Sequence, residues 1–158
     1  MQELFELLLA RGLTIASCES LTGGLFAAEL TAVPHVSQVS KGGIVSYWNE
    51  IKEKVVGVSK ETIDKEGVVS RQCSIEMATN VQRLFDVNVA VSFTGNAGPS
   101  TMENKPAGLV YTCIAVNKDI YPYCDMIDLP RNELRQEIID RTVERLKVIL
   151  KEIPVSQL

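Results

Sequence analysis

Apolar residues recur along this chain with two periods, and the points where one period gives way to the other mark its elements. Glu3 to Arg11 carries leucine and phenylalanine at helical spacing and stops at Gly12. Thr14 to Cys18 is small, β-branched and apolar, which suits a strand buried on both faces. A helical segment follows from about Leu21 to Ala32, broken by Pro34. Lys41 to Trp48, entered through glycines and rich in β-branched and aromatic residues, predicts a second strand. Asn49 is placed to cap a short helix over Glu50 to Val56, and Ser59 to open another that closes near Gly67. Ser70 caps a long helix to Phe85, with Ile75, Ala78, Val81, Leu84 and Phe85 at helical spacing. Asn88 to Thr94 predicts a third strand, followed by the loop Gly95 to Pro99 and a polar insert, Ser100 to Lys105. Gly108 to Val116 and Ile120 to Ile127 predict two more strands joined by a hairpin-like turn, and Pro122 puts the last of them at an edge. Arg131 to Ile153 closes the series as a helix with Leu134, Ile138, Val143, Leu146 and Leu150 on its apolar side, ended by Pro154. Helices and strands interleaved in this way predict one α/β domain over residues 1–158: three layers, α/β/α, around a mixed, mostly parallel sheet of about five strands.

Composition narrows the function classes. At 158 residues, 46% hydrophobic and 23% charged, the chain has the size and balance of one globular domain. A net charge of -4 argues against a nucleic-acid surface, which wants a clustered basic excess. No apolar run is long enough to span a bilayer, and Met1 to Ala10 lacks the basic region of a signal peptide, so a cytoplasmic protein without a membrane partner is expected. Cys18, Cys73, Cys113 and Cys124 are widely spaced with no C-x-x-C pair, which reads as buried free thiols and not as a disulfide framework or zinc site. His35 is the only histidine and follows Pro34 in a loop; it excludes a histidine-rich metal site and reads as a surface residue more readily than as the base of a Ser-His-Asp triad. A homo-oligomer, such as a dimer, is the expectation.

Three stretches carry candidate chemistry. In Thr14 to Gly24 a strand runs into a turn that opens a helix. Ser20 and Thr22 there read either as plain caps of the helix or as part of a site, with Ser20 as nucleophile. The free N–H groups at a helix N-terminus form a ready anion site, and Gly23 and Gly24 let another molecule approach the backbone. In Tyr47 to Lys52 a second strand-to-helix junction offers a lysine. Desolvated in a cleft, Lys52 could serve Ser20 as base, with Tyr47 holding the proton network; otherwise it is a solvated lysine on a helix face. Thr94 to Pro99 is a small-residue loop that reads equally as a turn or an anion-binding nest. It matches neither the dinucleotide fingerprint nor the P-loop. Arg131 and Arg135, one helical turn apart, could clamp a phosphate or simply face solvent. Cys18 is a second possible nucleophile, although its apolar strand argues for an inert thiol.

Taken in order, these stretches resemble the C-terminal domain family of the competence/damage-inducible protein CinA. The matching segments are Cys18-Glu-Ser-Leu-Thr-Gly-Gly24, Tyr47-Trp-Asn-Glu-Ile-Lys52, Gly57-Val58, Gly67-Val-Val-Ser70, Glu76-Met-Ala78, Thr94 to Pro99 and Lys105-Pro-Ala-Gly108. The resemblance implies a serine amidohydrolase that converts nicotinamide mononucleotide (NMN) to nicotinic acid mononucleotide and ammonia in pyridine nucleotide salvage, without metal or organic cofactor. It implies Ser20 as nucleophile and Lys52 as base. Tyr47 joins them as a catalytic candidate, and the substrate-binding candidates are Thr22, Gly23, Gly24, Asn49, Thr94, Gly95, Ala97, Gly98, Arg131 and Arg135. The pattern is altered at Asn96, at Ser100 to Asn104 and at Asp128 to Pro130, all on the expected phosphate and ribose side. A non-catalytic competence or DNA-damage protein, and an amidase for a related pyridine carboxamide, are the two alternatives.

Overall fold

A computed structural model of the protein describes residues 1–154. The expected domain over 1–158 includes residues 155–158, which lie outside the described residues. Five strands form one sheet: β1 (Ile15–Glu19), β2 (Ser40–Val45), β3 (Val89–Gly95), β4 (Leu109–Val116) and β5 (Asp119–Met126), in the order β2-β1-β3-β4-β5. β1 runs parallel to β2 and β3, and β4 is antiparallel to β3 and β5. Four strands therefore point one way and β4 opposes them, giving a mixed sheet with a parallel core. The connections explain this. A tight turn through Asn117 at φ 51° can join only antiparallel neighbours, whereas the links among β1, β2 and β3 carry helices. β5 lies at an edge, where the missing N–H of Pro122 is tolerated.

Helices cover both faces. α1 (Gln2–Ala10), α2 (Leu25–Thr31) and α6 (Arg131–Glu152) pack on Ile15, Val91, Phe93 and Ile114. On the other face α5 (Arg71–Phe85), capped by the Ser70 hydroxyl accepting from the Cys73 N–H at 3.1 Å, buries Cys73, Met77 and Val81 against Ala16 and Cys18. β1 is buried at every position because its alternate side chains feed opposite layers. Each fully buried Phe, Ile or Leu in these layers stabilises the fold by about 1.5–3 kcal/mol.

The remaining helical segments are short: a 3₁₀ turn over Val36–Gln38, α3 (Asn49–Ile51), continued by a π-helical turn over Lys52–Val56, and α4 (Lys60–Lys65). Four expectations shift. α2 begins at Leu25, not Leu21, because Gly23 and Gly24 hold φ of 59° and 96°, which no helix accommodates. β2 ends at Val45, not Trp48, since the Trp48 carbonyl already accepts the N–H groups of Ile51 and Lys52 that start the next helix. Asn49 caps nothing: the cap position belongs to Trp48, and no side chain bonds there. Leu84 is exposed; the buried stripe of α5 runs instead through Cys73, Ser74, Met77, Ala78 and Val81.

The chain leaves β1 toward one face through α2 and leaves β2 toward the other on its way to α5. A crevice opens at the carboxyl ends of two neighbouring parallel strands that part in this way. Ser20 and Lys52 stand there.

Candidate active site

Ser20 is anchored by the sheet itself. Its N–H donates to the Phe93 carbonyl at 2.9 Å, and the Ser46 N–H donates to the Glu19 carbonyl at 2.8 Å, so both ladders of β1 continue to the serine. Little of Ser20 reaches solvent.

Lys52 begins the π-helical turn, a feature frequent at functional sites. Its side chain runs inward and is fully buried, at 0% exposure. Nζ lies 2.9 Å from Ser20 Oγ, 2.8 Å from the Ser46 carbonyl oxygen and 3.2 Å from the Tyr47 carbonyl oxygen. Among the described residues no carboxylate pairs with it. Burial pushes its pKa below the ordinary lysine value, outweighing the opposite pull of the Cys73 and Cys18 thiols and of Glu103. A neutral amine has two N–H donors and one lone pair. In the structure Nζ donates to Ser20 Oγ and to both carbonyls; once it gives up a proton the carbonyls can keep its two N–H groups, and the lone pair then faces the Ser20 hydroxyl. The surroundings fit a general base. Tyr47 meets this amine through its carbonyl; its phenol turns away and accepts from Arg131 Nη2 at 2.9 Å.

The helix N-terminus is not an open anion site. The buried Glu19 carboxylate accepts the N–H of Phe26 at 2.9 Å and of Ala27 at 3.0 Å, doing the capping expected of Ser20 and Thr22. The donors left over lie in the turn. Gly23 donates to the Ser20 carbonyl and Leu25 to the Thr22 carbonyl, while the N–H groups of Leu21, Thr22 and Gly24 have no partner among the described residues. The Thr22 hydroxyl is buried without a partner as well. Gly23 and Gly24 serve the positive φ of this turn; an added Cβ would meet its nearest neighbour only at 3.4 Å. Arg135 is not free to clamp a phosphate, since it donates to the carbonyls of Leu21 and Thr22.

A cleft of about 440 Å³, within the range of small-ligand sites, opens above Ser20 and Leu21. Tyr47, Trp48 and Asn49 line one side, Gly95 to Ala97 with Ser100 and Met102 another, and Arg131 stands at the rim. Arg131 Nη1 donates to the Gly98 carbonyl at 2.8 Å, so this guanidinium joins the loop after β3 to Tyr47. Thr94 is placed elsewhere than expected: its hydroxyl donates to the Val68 carbonyl at 2.6 Å, beneath the start of α5, because its side chain falls on the opposite face of β3 from the cleft. A wider hollow of about 820 Å³ lies between α4 and α5, lined by Thr62, Lys65, Arg71 and Glu76; the Ser59 and Thr62 hydroxyls there donate to Glu76 beside the α4 cap. Cys18 is fully buried, and burial raises its thiol pKa to about 11, which disfavours the thiolate a nucleophile needs.

The family model of the CinA C-terminal domain matches residues 1–150. The chain belongs to that family. A competence-damage inducible protein from Geobacillus kaustophilus is 50% identical over 111 residues, which make up 70% of this chain and 27% of that protein. A Mycoplasma pneumoniae protein named MG115 homolog is 38% identical over 149 residues, covering 94% of this chain and 95% of its own. The crystal structure of a CinA superfamily protein from Klebsiella pneumoniae superposes with a TM-score of 0.93 at 27% identity, over 96% of each chain. That of a competence/damage inducible protein from Agrobacterium tumefaciens gives 0.86 at 32% identity, over 95% of this chain and 96% of that one. This chain thus spans about a quarter of its Geobacillus relative and nearly all of the Mycoplasma one.

Three residues of this CinA C-terminal domain take roles that sequence reasoning did not assign them, although Asn96 stood out as an altered position. Ser46 supplies a carbonyl to the lysine, Glu19 caps α2, and Asn96 organises the cleft wall. The Asn96 amide donates to the carbonyls of Met102 and Lys105, at 3.2 and 3.0 Å, and accepts the Met102 N–H at 3.1 Å. The altered loop is therefore an ordered turn pinned by one buried side chain. Its position as the only long polar side chain in a small-residue loop was the available signal.

Proposed function

We propose that this domain is an amidohydrolase that deamidates NMN by a Ser–Lys mechanism. The observation that carries the reading is the buried, carboxylate-free Lys52 amine 2.9 Å from the Ser20 hydroxyl. Ser20 Oγ attacks the carboxamide carbon and gives its proton to Lys52 Nζ. The carbonyl oxygen becomes an oxyanion that draws on the unpartnered N–H groups of the Ser20 turn. As the tetrahedral intermediate collapses, the C–N bond breaks and the departing nitrogen takes the proton from Lys52, leaving as ammonia. Water, deprotonated by the same amine, then attacks the acyl-serine, and Lys52 returns the proton to Ser20 Oγ as the acid leaves. Arg131 at the rim supports an anionic group on the substrate, with the backbone of Ala97 and Gly98 beside it.

Ammonia release from NMN, nicotinamide riboside and nicotinamide tests the proposal. Preference for NMN supports it. Equal release with and without the phosphate favours a different pyridine carboxamide as substrate. No release from any of the three removes pyridine carboxamides as substrates and favours the non-catalytic binding alternative.

A further inference from the structure

The turn after Ser20 is held from far away in the chain. Arg135, in the second turn of α6, donates from Nε to the Leu21 carbonyl at 3.0 Å and from Nη2 to the Thr22 carbonyl at 2.8 Å. Its Nη1 donates to Asn132 Oδ1 at 3.2 Å, which fixes the plane of the guanidinium. In a trans peptide the N–H points opposite to the carbonyl of the same unit. Drawing the Leu21 carbonyl toward α6 therefore aims the Thr22 N–H away from α6. The peptide before it is fixed by the Gly23 N–H donating to the Ser20 carbonyl at 3.0 Å, and this sets the Leu21 N–H. Both N–H groups are left without partners among the described residues. A cation on the carbonyl side also polarises the peptide and strengthens its donor.

We infer that Arg135 is a positioning residue: it locks the peptide planes after Ser20 so that the Leu21 and Thr22 N–H groups stand ready for an oxyanion formed at the serine. This rests on the hydrolase reading of the same site. It differs from a phosphate-clamping role, which would make Arg135 matter for substrate binding. A donor that is fixed in advance acts on the transition state, so its loss lowers kcat and leaves KM nearly unchanged.

The test compares the wild-type chain with Arg135→Ala, Arg135→Gln and Arg135→Lys by two readouts, with thermal unfolding measured alongside. The first is steady-state ammonia release from NMN. The second is the rate at which a fluorophosphonate labels Ser20, followed by intact mass, since its phosphoryl oxygen uses the same donors whatever the natural substrate. Arg135→Ala is expected to lower kcat and the labelling rate by about 10- to 100-fold, below the loss for deleting an oxyanion donor outright. Arg135→Lys, which keeps a cation and one bond, recovers part of the loss. If Arg135→Ala does not fold, the Lys and Gln variants carry the comparison. Labelling at the wild-type rate overturns the inference; so does a raised KM at unchanged kcat, or a fall that only mirrors lost folded protein. Arg135-dependent labelling without hydrolysis of any pyridine carboxamide leaves the positioning role standing and removes the proposed substrate. A wild-type chain that is never labelled at Ser20 overturns both.

Discussion

Replacing Lys52 by methionine isolates the proposed base. The two side chains are similar in length and apolar stem, so the fully buried channel stays filled while the amine is lost. Serving as general base contributes about 10²- to 10⁴-fold, or roughly 3–5 kcal/mol of barrier. Lys52 touches Ser20 directly and, among the described residues, no other basic side chain is bonded to that hydroxyl, so the upper half of the range is expected. Stability should change far less. The carbonyls of Ser46 and Tyr47 lose a donor, at about 1–3 kcal/mol each when left unsatisfied, and relief from burying an amine offsets much of this.

The assay is ammonia release from pH 6 to 10 beside urea unfolding over the same range. Because the lysine pKa is lowered in the fold, wild-type activity rises with pH along a limb centred below 10.5, and the variant lacks that limb. Stability carries the same signature. Between the folded pKa and 10.5 the unfolded chain binds more protons, so wild-type stability gains with pH across that window and the variant shows no such gain. A variant that keeps more than a tenth of wild-type kcat/KM would refute the base assignment, as would a wild-type limb centred at or above 10.5.

Three further outcomes follow from the geometry. Arg131→Ala should raise KM for NMN about tenfold or more with a smaller change in kcat, and leave hydrolysis of a phosphate-free analogue nearly untouched, as expected for a rim guanidinium that meets an anion. Glu19→Gln should destabilise the fold by about 1–3 kcal/mol in urea unfolding, since an amide cannot accept both the Phe26 and Ala27 N–H groups as the buried carboxylate does. Asp125→Asn should cost about 3 kcal/mol at neutral pH by leaving Arg145 and Arg141 without their shared partner. Burial alone would raise the Asp125 pKa, but the two guanidiniums outweigh it and hold it below 3.8. Its stabilisation is therefore present above pH 3.8 and lost as pH falls through the lower folded value, where variant and wild type should converge.

What could be read from the sequence was whatever depends on one segment at a time. The strand runs at 14–18, 88–94 and 108–116, the Ser70 cap and the apolar side of the last helix, Leu134 to Leu150, rest on local periodicity, and they appear in the fold nearly where expected. From the residues alone the Ser20–Lys52 pairing was legible only as two junctions of the same kind, and the family resemblance supplied the rest. Their meeting depends on β1 and β2 being neighbours whose chains depart to opposite faces, and no local pattern encodes that. Groups whose partners are distant were misread for the same reason. Arg135 resembled half of a phosphate clamp because spacing shows that two arginines share a helix face, but not that carbonyls from residues 21 and 22 lie beneath one of them. Thr94 looked like part of a loop site, yet strand alternation turns its hydroxyl to the far side of the sheet. Glu19 was overlooked beside a serine and a threonine, the commoner caps. Seated at the last position of a buried strand, only its longer side chain spans the glycine turn to the N–H groups of Phe26 and Ala27. That substitution has a consequence for the chemistry. With the protein's own carboxylate filling the helix N-terminus, the donors open to an oxyanion at Ser20 are those of the turn, which the Glu19 side chain spans to reach α2 and whose carbonyls Arg135 holds.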